Sequence, residues 1–526
     1  MASESYALRS IRPVTVQVAT LLACFGSGLL LDHVEQLGPS IVVLTVVLGM
    51  TLGRTQRTGD TRHRLLTLAV LPVLSVACTE VGRLFVEHPN VADALFVAAL
   101  ATGVWLRRFG PRGTRLGTLI ALPFLALLVT PLPQIPGAMP PVGRSMLWAA
   151  VASVVAYGWV WLVQTSAERI GLVPPLPRGT RAAPEQRSSA RIPASTRMAV
   201  QLGLSLALAF VIGRSLFAPH WSWIVITAFV VNSGNRGRGD VVYKSLQRIA
   251  GAAIGTVVAT LLAGLFPPRD NVAVAVILAA LALGSWLRTL NYAYWAGCVT
   301  SVLSLLQGYF GETHIGLLGE RLAQILIGGA LAVLVAWFVL PVKSADVLRK
   351  RLAGCLAALQ EVLAAAARHE PEALQRHARE FEASLAQLEL VAPPTRAHRR
   401  LQLLRHSIRG TADGAVPAHQ ADAVEALRAC GPAVEALATG AENPDSPALA
   451  APARLLRGVS GNVAGARRHL GRREGAVHRP LDWAAAGDGR AAQALREIDT
   501  ATRVIGRVYG STQHQVERPP GQPVEA

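Results

Sequence analysis

Long apolar runs separated by short polar loops occupy residues 1–341 of this chain. The runs fall at Val14–Leu31, Gly38–Gly53, Leu65–Gly82, Val91–Leu106, Gly117–Leu132 and Met146–Val163. A second set follows at Met198–Phe217, Trp221–Asn232, Ile249–Phe266, Val272–Leu287, Tyr292–Leu306 and Leu322–Leu340. A helix needs about 20 apolar residues to cross the bilayer hydrocarbon, so most of these lengths suit transmembrane helices. Between the sets lies a linker rich in Pro, Arg and Ser, Thr165–Arg197. After Pro341 the pattern turns amphipathic, with helical periodicity over Lys343–His369, Glu372–Leu390, Arg396–Arg409, Ala421–Thr439 and Ala491–Val508. Breaks are expected at Pro393-Pro394, Gly410–Pro417 and Asn443–Pro447.

The expected fold is an all-α integral membrane protein. It has about twelve transmembrane helices arranged as two parallel six-helix repeats, plus a C-terminal cytoplasmic helical domain. The boundaries are 1–164 for the first repeat, 165–197 for the cytoplasmic linker, 198–341 for the second repeat, 342–510 for the helical domain and 511–526 for a disordered tail.

Loop charges give the orientation. Arg9 and Arg12 precede the first run; Arg54, Arg57, Arg62 and Arg64 fill the second loop, and Arg107, Arg108, Arg112 and Arg115 the fourth. Arg236, Arg238 and Lys244 fill the eighth, whereas the alternate loops carry Asp32, Glu35, Glu87, Asp93, Asp270 and Glu312. Cytoplasmic loops retain Lys and Arg, so both termini and the linker are expected in the cytoplasm of a bacterial-type plasma (inner) membrane. The first run lacks a small-residue cleavage site and is expected to stay as a helix.

Composition agrees with that reading. Hydrophobic residues make up 51% of the chain and charged residues only 16%, against about a quarter in soluble proteins. Mean hydropathy is +0.37. The net charge of +18 resides in loops and the tail, with no basic, aromatic-interleaved face for nucleic acid. The five cysteines are scattered with no CxxC pair, so neither a disulfide framework nor a zinc site is indicated. No phosphate-binding loop, HExxH or GxSxG motif occurs, so the sequence indicates no enzyme, cofactor or metal.

Short strings recur between the two sets. Val16-Gln17 returns as Val200-Gln201, Gly59-Asp60 as Gly239-Asp240, and Gly103-Val104-Trp105-Leu106-Arg107 as Gly284-Ser285-Trp286-Leu287-Arg288. Each pair lies about 180 residues apart, the mark of an internal duplication. In each copy the second run is the short one, Gly38–Gly53 and Trp221–Asn232. Short spans at matched positions of two repeats point to a transporter's binding site. A pathway is therefore expected between the halves, lined by Trp221, Trp223 and Asn232. Arg236, Arg238, Lys244, Arg248, Arg288, Arg57 and Arg107 would supply a positive funnel for anions. Positive-inside topology is the better account of most of those charges, whereas for Arg248, which begins an apolar helix, the two accounts are evenly matched. Gly251 and Gly255 form a helix-packing face. Carboxylates are absent from the centres of the runs. Glu80 and Glu320 remain as candidate coupling groups, with ordinary ion pairing to Arg83 and Arg321 as the competing role.

The second half resembles the fusaric acid resistance (FUSC) and aromatic acid exporter proteins, bacterial inner-membrane efflux carriers. The resemblance lies in the Trp-containing start of a short span (Trp221, Trp223), its polar end at Asn232, the basic loop, and the Arg-x-x-Gly-x-x-x-Gly pattern of Arg248, Gly251 and Gly255. This chain carries Ala252 where that family commonly shows Thr, and its linker is short where larger members hold a soluble domain. Plant aluminium-activated malate transporters look like distant relatives with one six-helix unit. The resemblance implies export of aromatic or other organic acids, driven by the proton gradient. The expected partners are the lipid bilayer and a small organic anion, with a homo-oligomer or an accessory efflux subunit also admissible. Two rivals stand beside it: a passive organic-anion channel, and a non-transporting scaffold or sensor acting through the cytoplasmic tail.

Overall fold

The computed structural model describes residues 2–55, 61–129, 142–173, 192–218, 220–262, 265–267, 270–309, 315–408, 417–440, 453–471, 478–483 and 489–516. All regular structure among these residues is helical. The chain forms two compact units, Met1–Val342 and Lys343–Ala526.

The first unit holds twelve α-helices among its described residues. They are α1 (Ala2–Glu35), α2 (Pro39–Thr55), α3 (Thr61–Glu87), α4 (Pro89–Trp105), α5 (Pro111–Val129) and α6 (Val142–Arg169), then α7 (Ala194–Leu216), α8 (Ser222–Asn232), α9 (Arg238–Leu262), α10 (Asn271–Leu287), α11 (Tyr292–Tyr309) and α12 (Ile315–Phe338). Eight helices among the described residues are long and apolar enough to cross a membrane; the apolar stretches Ser40–Gly53, Ser222–Asn232 and Asn271–Leu287 are shorter. Prolines open α2, α4 and α5, where the missing N–H costs no helical hydrogen bond. Asp270 caps α10 by accepting from the Val272 N–H (3.0 Å), and Asn291 accepts from the Ala293 N–H (2.9 Å) at the start of α11. The turn after α8 passes through Gly234 at φ +66°, a left-handed conformation that glycine adopts without strain.

The same helix pairs pack in both sets of six. In the first set α1 packs on α2, α2 on α6, α3 on α5 and on α6, and α4 on α5. In the second, α7 packs on α8, α8 on α12, α9 on α11 and on α12, and α10 on α11. Between the sets, α4 meets α7 and α1 meets α10. One contact between the sets is a bidentate ion pair: Arg214 donates through Nε and Nη2 to the two oxygens of Asp93, both at 2.7 Å. The Arg214 guanidinium also stacks 4.6 Å from the Trp221 ring centroid. Phe85, Phe96 and Phe210 complete that aromatic cluster.

The second unit contains α13 (Ser344–Ala367), α14 (Pro371–Glu389), α15 (Pro393–Ile408), α16 (Gln420–Gly440), α17 (Ala453–Leu470) and α18 (Arg490–Val516). Leu352, Leu356, Phe381, Leu427, Val459, Leu495 and Ile505 share one buried core. The periodicity reading omits α17, because Gly458, Gly461 and Gly465 lower its helix propensity. Burial of one face, including Leu455, Val459, Val463 and Leu470, overrides that cost. Helix α18 runs through Val516, into the stretch 511–526 for which disorder is expected. The buried Asp499 carboxylate accepts from Asn462 Nδ2 (2.7 Å) and meets His478 Nε2 at 2.9 Å, so it is fully partnered. Burial pushes the Cys355 and Cys430 thiols up to about 12, which leaves them inert.

Helices α9 and α11 approach closely because Gly251 and Gly255 have no side chain. A Cβ at Gly251 would collide with the Ala293 carbonyl oxygen and with Ala296, and one at Gly255 with the Gly297 carbonyl oxygen and Thr300. That closeness lets Ser301 Oγ donate to the Gly255 carbonyl oxygen (3.1 Å). Gly255→Val is expected to destabilise the membrane unit by about 1–3 kcal/mol through overpacking. The melting midpoint in detergent should fall accordingly. Gly158→Ala, which places its Cβ in open space, should leave the midpoint unchanged.

Candidate functional site

Helix α8 has eleven residues and a rise of about 16 Å, roughly half the hydrocarbon thickness. Nine of those residues are buried, among them Trp223, Ile226, Thr227 and Asn232. A helix apolar on every side is stable only when protein surrounds it, and α8 packs against α5, α7, α9 and α12. The chain turns back at Ser233-Gly234 into α9, where Arg248 lies about 15 Å along the helix from its first residue.

Arg248 is only 3% exposed. Its Nε and Nη2 have no hydrogen-bond partner among the described residues, and no carboxylate there lies within ion-pair distance. The Tyr292 hydroxyl interacts with the guanidinium from α11. Both residues face a cavity of about 290 Å³, a size that takes one small organic molecule. Its walls come from α1, α2, α5, α8, α10 and α11: Phe25 and Leu29, Val46 and Met50, Leu125, Ile226 and Val230, Ile277 and Leu281, Trp295 and Leu303. Asp32 and Tyr309 also line it. Asp32 Oδ1 accepts from the Gly38 N–H (2.6 Å), which binds the α1–α2 turn. Arg248 is the only basic residue among the described residues of the lining.

A second arginine, Arg321 of α12, lies beside this one, close enough for the two positive charges to repel. It is 2% exposed and sits 4.1 Å from the Trp223 ring centroid. Its Nη1 donates to Ser304 Oγ and its Nη2 to Gln307 Oε1, both on α11. Arg321 Nε, Gln324 Oε1 and Thr227 Oγ1 are buried with no partner among the described residues. The pair of guanidiniums is therefore solvated by neutral groups and rings, with spare donors and no counterion among the described residues. Such an arrangement is complementary to an anion.

None of the other described residues predicted for the pathway is itself part of the cavity lining. Trp221 belongs to the aromatic cluster under Arg214. Trp223 supports Arg321. Asn232 donates from Nδ2 to Ser205 Oγ (3.1 Å) and the Ala228 carbonyl (3.2 Å), tying the end of α8 to α7. Lys244 pairs with Asp240 (3.0 Å) and donates to the Gly234 carbonyl (3.2 Å), and Asp240 also accepts from the Arg236 N–H (3.0 Å). Arg238 stacks on Trp337 at 4.5 Å, and Arg288 on Trp295 at 5.5 Å. Arg107 comes near enough to Arg236 and Lys244 for mutual repulsion. Arg57 lies outside the described residues. Glu80 pairs with Arg83 (2.9 Å). Glu320 accepts from Gln324 Nε2 (3.0 Å) and faces His220 Nδ1 at 3.6 Å.

Sequence reasoning treats Arg321 only as a partner for Glu320, and the structure separates them. Adjacent residues on a helix point about 100° apart, so Arg321 turns inward while Glu320 binds along its own helix and to His220. The readable signal is a charge in an apolar helix whose neighbour cannot reach it. Tyr292, Ser304 and Gln307 carry no comparable mark, since polar residues occur throughout such helices.

Residues 204–335 match the family described as fusaric acid resistance protein-like. The matched segment holds α8 to α11 whole and includes Arg248, Arg321 and Trp223. It spans most of the second six-helix segment. No curated protein matches the chain. That segment is thus similar to fusaric acid resistance proteins, in a chain with eight helices, among its described residues, long and apolar enough to cross a membrane.

A buried guanidinium without a counterion costs the folded state free energy. Arg248→Met, of similar length and apolar, is therefore expected to keep or raise the detergent melting midpoint. A purely structural arginine would lower it on removal.

Proposed function

We propose that this fusaric acid resistance protein-like chain exports small organic anions, aromatic carboxylates foremost, through the cavity between its two six-helix segments. One observation carries the reading: Arg248, with two unpartnered donor nitrogens, is the single basic group in an otherwise largely apolar cavity. An aromatic acid has the complementary form. Its ring displaces water from Val46, Ile277 and Leu303, and its carboxylate accepts from the guanidinium fork. Arg321, backed by Trp223, offers the next station for the same charge. The attraction is strong because the surroundings are dry, and a neighbouring like charge keeps it from being so deep that the anion cannot leave.

In this reading the chain crosses the inner membrane twelve times as two parallel repeats, with both termini in the cytoplasm. The recurring helix pairs support the repeats, as do the matched close approaches of Gly103 to Gly117 and of Gly284 to Cys298. The cavity then lies where the copies meet, bounded by both short helices, α2 and α8. The binding chemistry is unequal between them. Helix α3 carries no arginine between Arg64 and Arg83, so the second copy alone supplies the charge at that depth.

A passive conduction path is the second reading. It is favoured by a lining that holds no histidine and a single carboxylate, Asp32, already bound to the Gly38 N–H. Flux of radiolabelled benzoate from proteoliposomes, with and without an imposed pH gradient, separates the two. A carrier moves the label uphill when the gradient is present; a channel follows voltage alone. In either case Arg248→Ala should weaken apparent affinity by about 10–100-fold, the worth of one lost charged hydrogen bond. Arg248→Lys should recover only part of it, because an ammonium lacks the fork. Unaltered flux in Arg248→Ala would dismiss the cavity as the route.

A further inference from the structure

Helix α15 contributes no buried residue to its unit, whereas the other helices do. Two of its four arginines face the rest of the unit: Arg396 binds Glu389 (2.6 and 2.9 Å) and Glu425, and Arg399 binds Asp422 (3.1 Å) and the Pro417 carbonyl oxygen (2.8 Å). The Arg396 contacts hold the Glu389 carboxyl below the usual carboxylate range. Its leucines face outward. No residue of α15 is buried, and Leu401, Leu404 and Ile408 are 44%, 57% and 75% exposed. Spaced three and four apart, these three lie along one stripe. Arg400 and Arg405, both exposed, flank the stripe on its two sides, and the helix contains no acidic residue.

A soluble domain turns its apolar stripe to its own core. Here the core-facing side is ionic, and the stripe is left without a partner among the described residues. Apolar residues between flanking arginines are the pattern of a helix that lies in a membrane interface, with the side chains in the acyl boundary and the guanidiniums at lipid phosphates. Charge complementarity selects anionic lipid. The covalent connection selects the bilayer over a soluble partner: only residues 339–343 separate α12 from α13, so a membrane surface is always at high effective concentration. We propose that α15 docks the C-terminal unit on the anionic cytoplasmic leaflet through Leu401, Leu404 and Ile408, with Arg400 and Arg405 on lipid phosphates.

The full chain in nanodiscs tests this by hydrogen exchange. Discs of phosphatidylcholine alone are compared with discs carrying about three in ten phosphatidylglycerol, a charge density at which each surface arginine adds measurable attraction. Amide exchange across 397–408 is expected to slow by about fivefold or more in the anionic discs. Leu404→Glu, and separately Arg400→Glu with Arg405→Glu, should abolish that difference. Exchange across the buried face of α13, from Leu352 to Leu363, reports that each variant tail remains folded. Equal exchange in the two discs overturns the proposal. So does protection that depends on two copies per disc and is indifferent to lipid charge, which would assign the stripe to a second copy of the chain.

Discussion

Two guanidiniums, Arg248 and Arg321, sit inside a helical unit with no carboxylate among the described residues to neutralise either. Everything around them answers that constraint. Ser304 and Gln307 accept from Arg321, Trp223 offers it a ring face, and Tyr292 meets Arg248. None of these removes the positive charge. An acidic partner would have made a stable buried pair and closed the site. Its omission leaves free energy available to an incoming anion, which is the condition for a binding site in a transport path.

The packing serves the same end. Helix α8 is too short to span and too apolar to face water, so it survives only as a buried element, and its burial sets Trp223 under Arg321. Gly251 and Gly255 draw α9 onto α11, which brings Arg248 to Tyr292 and leaves space on the other side for the cavity. At one contact between the sets of six, the Asp93–Arg214 pair is stacked on Trp221, and none of the three is in the cavity lining. The paired arginine and the two unpaired ones are thus held on different helices.

Much of this could be read from the chain. Apolar runs gave helices at the expected places, and the second run of the second set is short in the structure as in the sequence. Arg248 stands out in the sequence as the start of an apolar helix, whereas α9 begins at Arg238 and so places Arg248 within the helix. Two of the loop charges take part in local contacts, Lys244 with Asp240 and Arg238 with Trp337, because loop charge also serves to fix loops. Arg321 was masked by its neighbour Glu320, since adjacency in sequence was taken for contact although helical geometry separates the two side chains. Helix α17 was hidden by its glycines, whose cost is recovered only through tertiary burial that no local pattern reports.

The most direct test is to locate an anion in the cavity. Crystals of the full chain soaked in 4-iodobenzoate would place the iodine by its anomalous signal. The account predicts a peak inside the cavity, among Val46, Ile277 and Leu303, with the carboxylate on the Arg248 guanidinium and no such peak in Arg248→Met. Iodine found only at the protein surface, with the cavity empty at saturating ligand, would contradict it.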